Sequence, residues 1–259
     1  SVSSAIPKLG VRYTEGRSHL VYRGSLAMTQ ASPFLVEPLD ASFGAVVTDL
    51  KLTELGAREF EKLYDTWLEY ALLIFPSQFL NNDEQIAFAK RFGDLEFDLA
   101  SITNVDKSGQ AHFDPNEDWV KSIKGNMGWH CDSTYMPVQA KGAVFTAHTV
   151  PSSGGETGWA DMRSAYDNLD KKIKKKISGL SAYHSLWYSQ SKLGHKRKVG
   201  AGYGFHELDP PLRPLVKVHP ETGRRSLVIG RHAYGIPDMD PKESQKLLED
   251  LVDFACQPP

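Results

Sequence analysis

The chain has 259 residues, of which 41% are hydrophobic and 24% charged. That is ordinary for a soluble globular protein and is enough for one large domain or two small ones. A net charge of −2 and a pI near 6.5 give no electrostatic case for a nucleic acid or a membrane as partner. The only two cysteines, Cys131 and Cys256, make no disulfide framework and suit a reducing compartment, the cytoplasm. The longest apolar run, residues 71–75, falls far short of the roughly 18 residues of a membrane span.

Residues 1–33 read as an N-terminal extension. Lys8, Arg12, Arg17 and Arg23 stand there against Glu15, a bias that fits a transit-peptide remnant, although a plain extension is the simpler reading. The domain proper is expected over 34–259. Residues 34–39 read as a short extended piece and 43–48 as a β-branched strand. Thr53 begins a helical stretch in which Phe60, Leu63, Tyr64, Trp67 and Leu68 recur at helical spacing. The run 71–75 predicts a buried strand that stops at Pro76. Asn82 with Gln85 resembles a capping box. The helix it opens directs Ile86, Ala89 and Phe92 to the core and ends at Gly93.

Residues 101–105 are strand-like. Residues 106–128 are polar and rich in glycine, and predict a long loop of the kind used as lids. Residues 143–150 alternate as a strand does. A turn at 151–155 then predicts 156–160 as its antiparallel partner. Asp161 is placed to cap a helix to about Leu169, and the lysines over 171–176 form a solvated helix face around Ile173 and Ile177. Residues 187–211 predict a second long loop. Strands at 215–218 and 226–229 flank a hairpin turn. Asp240 and Pro241 open a last helix with Leu247, Leu248, Leu251, Val252 and Ala255 as its apolar stripe. The whole predicts one mainly β domain with flanking helices.

The chemistry points to residues 129–135, Trp-His-Cys-Asp-Ser-Thr-Tyr. On a strand, His130 and Asp132 face the same side. An imidazole and a carboxylate there supply two ligands of a 2-His-1-carboxylate site, which leaves positions open on a non-haem Fe(II).

Three motifs occur together. They are Trp-His-Cys-Asp at 129–132, Pro-Ser-Ser-Gly-Gly-Glu-Thr-Gly-Trp-Ala-Asp at 151–161, and Leu-Arg-Pro-Leu-Val-Lys-Val-His-Pro-Glu-Thr-Gly-Arg at 212–224. In this order they resemble the taurine/2,4-dichlorophenoxyacetate dioxygenase family. Residues 126–137 and 188–195 are most similar to its aryloxyalkanoate, or phenoxypropionate, branch. The resemblance implies a double-stranded β-helix, or jelly roll, and an Fe(II)- and 2-oxoglutarate-dependent dioxygenase. Such an enzyme uses O2 to hydroxylate a small carboxylate, an aryloxyalkanoate for example, with release of succinate and CO2. It implies His130 and Asp132 as metal ligands, and Thr157 and Asn126 as residues at the cosubstrate. Trp129 is expected beneath the metal strand. Arg231 and Lys192 are candidate partners for the substrate carboxylate, with a plain surface charge as the alternative for each. Relatives commonly assemble, so a homo-oligomer is expected.

The same resemblance implies a distal histidine as third ligand, and an arginine for the cosubstrate carboxylate, after the last helix. Nothing in the 259 residues matches either. The expectation is a jelly roll lacking its last strands, a fragment of a working enzyme rather than a degenerate relative. Of the other histidines, His148 is the best placed; His184, His195, His206, His219 and His232 read as surface or satisfied polar groups. Two other functions stay open. One is a non-catalytic jelly roll that binds a small acid. The other is a zinc hydrolase on a similar scaffold, which needs no 2-oxoglutarate.

Overall fold

Strand β1 (Leu35–Pro38) pairs antiparallel with β2 (Ala45–Thr48), with Val36 opposite Val47. These and all further elements come from a computed structural model that describes residues 32–194, 199–200 and 202–257. The basic stretch over 1–27 and His195 lie outside the described residues. Helix α1 (Ala57–Tyr70) is opened by Glu59, whose carboxylate accepts from the Gly56 N–H at 2.7 Å. It closes at Ala71, which takes a left-handed φ of 63°. Its apolar face buries Leu63 completely. Strand β3 (Leu73–Ile74) then joins β2 in parallel. It is an edge, with Ile74 42% exposed, so the run 71–75 is not the buried strand its composition predicted.

Helix α2 (Asn82–Lys90) is capped one residue earlier than expected. Asn81 Oδ1 accepts from the Glu84 N–H at 3.0 Å and Glu84 accepts from the Asn81 N–H at 2.8 Å. The reciprocal pair satisfies two donors that the first turn leaves unpaired. Phe88 is the buried residue of this helix. With Phe34, Val47, Leu52, Leu63 and Leu80 it forms one core, and Phe92, expected at the core, packs against that cluster.

The two predicted loops each contain a helix, α3 (Asp118–Gly125) in the first and α6 (Leu186–Ser191) in the second. Residues 101–105 give only an isolated bridge, Val105 to Ala111. The strands expected at 143–150 and 156–160 do not form. Strand geometry needs a neighbour to complete its ladder, and none pairs with them among the described residues. Phe145 and Trp159 meet edge to face at 5.9 Å and stay exposed.

Helix α4 (Met162–Asn168) starts at Asp161 as predicted, and α5 (Lys171–Ile177) is capped by Asp170. Strand β4 (Ser181–His184) lies between β5 (Leu212–Pro214) and β8 (Ala233–Tyr234), antiparallel to both. The predicted hairpin is β6 (Val216–Val218) with β7 (Arg225–Leu227). Helix α7 (Pro241–Ala255) has Asp240 at its cap and buries Leu247, Leu248 and Leu251. These pack with Ile177, Ala182, Leu215 and Ile229 into a second core. The strands are two to four residues long, and helix outweighs strand among the described residues. The mainly β expectation thus overstates the strand content.

Candidate functional site

His130 lies on irregular backbone and Asp132 at the start of the turn that follows, neither on a strand. Their side chains meet nonetheless. His130 Nε2 meets Asp132 Oδ1 at 3.2 Å. The other ring nitrogen is fixed from behind, because Nδ1–H donates to the Gly128 carbonyl at 2.7 Å. A backbone acceptor on one nitrogen is the usual way a metal-ligating histidine is held in one tautomer and orientation. The Asp132 contact raises the His130 pKa against the opposing effect of burial. The same contact lowers the Asp132 carboxyl. The shared proton between them is what a divalent cation displaces. The pair therefore suits an ion that takes one nitrogen and one oxygen.

The turn between β7 and β8 is pressed against this stretch. Gly230 sits at φ +132°, and a Cβ there would stand 2.9 Å from His130 Cα. The Arg231 N–H donates to the Trp129 carbonyl at 2.9 Å. His232 follows with its ring 5.3 Å from that of His130 and nearly perpendicular to it. Tyr135 lies 4.9 Å from His232 in the same edge-to-face manner. His232 Nδ1 shares a hydrogen bond with Ser189 Oγ at 2.8 Å. Burial, with the charges of His130 and Arg231, pushes the His232 pKa down to about 3. It is held as neutral imidazole.

Among the histidines, the sequence placed His148 best, without matching it to the third ligand. The structure leaves His148 exposed and brings His232 to the pair. The available signal was the Gly-Arg-His run directly after an apolar strand, where glycine permits a close backbone approach. No three His, Cys, Asp or Glu side chains are placed to hold a metal among the described residues. The pair fits two positions of a metal site.

Arg231 lies at the same place. Both terminal nitrogens of its guanidinium are buried with no hydrogen-bond partner among the described residues, as is Gln190 Oε1. A Cβ at Gly125 would sit 3.2 Å from Arg231 Nη1 and 3.2 Å from Gln190 Nε2. The Arg231 head and the Gln190 amide therefore converge where glycine leaves room.

The other candidates are spread more widely. Asn126 caps the C-terminus of α3, four residues before His130, and is exposed. Thr157 is exposed in the 151–160 stretch. Its neighbour Gly158 lies on the Trp129 indole, where a Cβ would stand 2.9 Å from Cη2. Trp129 thus packs on the 151–160 stretch and stays 39% exposed. The Lys192 ammonium sits over the Tyr188 ring at 4.6 Å.

Residues 35–259 match the family described as taurine catabolism dioxygenase TauD, TfdA family. The chain belongs to this family. A TauD, TfdA jelly roll is therefore the fold that carries the site. Among relatives, the chain is 59% identical over 231 residues to an (S)-phenoxypropionate/alpha-ketoglutarate-dioxygenase of Sphingobium herbicidovorans, covering 87% of this chain and 80% of that one. It is 36% identical over 244 residues to an alpha-ketoglutarate-dependent 2,4-dichlorophenoxyacetate dioxygenase of Cupriavidus pinatubonensis, covering 86% and 82%. Among solved structures it resembles AAD-2 in complex with Mn(II) and N-oxalylglycine. That likeness has a TM-score of 0.77 and 33% identity, over 87% of this chain and 81% of that one.

Proposed function

We propose that this chain is an Fe(II)- and 2-oxoglutarate-dependent dioxygenase that acts on an aryloxyalkanoate, an acid of the phenoxypropionate type. The observation that carries the reading is a metal-type pair, His130 and Asp132 at 3.2 Å, beside the Arg231 guanidinium, whose two buried terminal nitrogens have no partner among the described residues. An unpaired buried cation is costly, and a substrate carboxylate is the group that satisfies it. Arginine offers a planar fork that matches a carboxylate bidentately.

Bound Fe(II) with 2-oxoglutarate supplies the oxidation: the cosubstrate loses CO2 to give succinate, and one oxygen atom of O2 enters the substrate. The residues of this chain hold and orient. Gly128 fixes the His130 ring so that Nε2 faces Asp132. Arg231, with the Gln190 amide beside it, takes the carboxylate and so sets which carbon faces the metal pair. Thr157 and Asn126 are assigned to the cosubstrate. Hydroxylation of the carbon next to the ether oxygen gives a hemiketal, which collapses to a phenol and a 2-keto acid.

The test is succinate formation by the purified protein from 2-oxoglutarate and 2-phenoxypropionate. Phenol is measured in the same samples. The reading requires both products to depend on Fe(II) and on the acid. Acid binding without succinate would point to a binding protein instead. Zinc-dependent turnover without 2-oxoglutarate would point to a hydrolase.

A further inference from the structure

Asp132 opens a turn that its own sequence does not favour. Ser133 takes a left-handed φ of 59°, a conformation that costs a residue with a Cβ about 1 kcal/mol or more. The Met136 N–H then donates back to the Ser133 carbonyl at 3.0 Å. Something outside the turn must hold it there.

Arg213 on β5 is the group that does. Its Nε–H donates to the Thr134 carbonyl at 3.1 Å. Its Nη2 donates to the carbonyls of Met136 and, at 3.3 Å, of Pro137. One side chain from a strand some eighty residues away thus grips three of the five carbonyls that follow Asp132. The anchor is firm, because Arg213 is paired with Ala182 in the β4–β5 ladder and Ala182 is fully buried. The turn is also tied by a 2.8 Å hydrogen bond between Ser133 Oγ and the Tyr203 hydroxyl. It is tied again where His206 Nε2 meets the Tyr135 carbonyl at 3.1 Å. Only Arg213 reaches three carbonyls at once. A guanidinium presents donors along a rigid edge, whereas an ammonium is a single point that cannot span them.

We propose that Arg213 is a positioning residue for the metal pair, holding the 133–137 turn so that Asp132 is aimed at His130. The proposal rests on the reading of His130 and Asp132 as metal ligands. Groups that orient a ligand without touching the metal change its affinity about 10–100-fold when removed.

The experiment is a titration of the full chain with Mn(II), followed by the electron paramagnetic resonance signal of the free ion. Parent, Arg213→Ala and Arg213→Lys are compared, with near-ultraviolet circular dichroism as the check on folding. Arg213→Ala is expected to bind Mn(II) about 10–100-fold more weakly. Added methylguanidinium restores it, and methylammonium does not. Arg213→Lys keeps the charge and stays weakened. Folded variants whose Mn(II) affinity lies within about twofold of the parent, a change below the range expected for an orienting group, overturn the proposal. So does loss of the dichroism signal in both variants, which makes Arg213 a fold element only. A parent that takes up no Mn(II) overturns the metal reading itself, and the proposal with it.

Discussion

Replacing Gly230 by alanine tests how closely the chain after the hairpin must approach the metal stretch. The new Cβ would stand 2.9 Å from His130 Cα and 3.0 Å from the Trp129 carbonyl oxygen. Both are backbone atoms, so no side-chain rotation relieves the clash. The residue must also keep φ +132°, a region that costs about 1–3 kcal/mol without glycine. Overpacking against backbone adds about 1–3 kcal/mol. The sum, about 2–6 kcal/mol, corresponds to a fall in Tm of roughly 4–24 °C for a domain of this size. The matched control is Gly223→Ala, where φ is +68° but nothing lies within 4 Å of the new Cβ. That variant should lose only the backbone cost, about 1 kcal/mol. Thermal unfolding of the two variants beside the parent decides the matter, with Mn(II) affinity measured in parallel. If Gly230→Ala melts no lower than Gly223→Ala, the close approach is not what holds His130.

Arg231→Met should weaken binding of the acid substrate roughly 10–150-fold, from loss of about 1.5–3 kcal/mol of charge-assisted hydrogen bonding. It should leave the ligand-free Tm unchanged or higher, because an unpaired buried charge is removed; a lower Tm with unchanged KM would refute both points. His184 is buried with neither ring nitrogen bonded among the described residues, and burial pushes its pKa down to about 4. The unfolded chain therefore takes up a proton that the folded one refuses. Stability should fall by up to about 3 kcal/mol between pH 6.5 and pH 4, and His184→Leu should flatten that slope in urea titrations. His112 meets Asp106 Oδ2 at 3.0 Å and Glu117 Oε2 at 2.7 Å, one carboxylate on each ring nitrogen. A neutral imidazole donates only once, so both bonds need the charged ring, and the Asp106 bond in particular raises its pKa. Their contribution is complete below the unfolded value and lost as pH rises through the raised one. Protease cleavage within 104–117 should accelerate with that rise, and His112→Gln should abolish the change.

The sequence alone determined the elements whose signals are local. Asp161 and Asp240 cap their helices where a short acceptor precedes an apolar period. The hairpin around His219 forms because turn residues separate two β-branched runs. His130 and Asp132 were legible as a pair from their spacing by two, and they meet at 3.2 Å although no strand carries them. The misses have one cause, which is that the deciding partner lies far along the chain. Residues 143–150 carry strand alternation, but a strand exists only where a second one completes its ladder. His232 looked like a residue just past a strand, and only the contact of Gly230 with the His130 backbone brings its ring to the site. Arg213 carried no local signal at all, since its acceptors are the carbonyls of Thr134, Met136 and Pro137. Spacing along the chain singled out the candidate pair; tertiary packing decided how His130 and Asp132 are aimed, because the groups that touch them approach from distant parts of the chain.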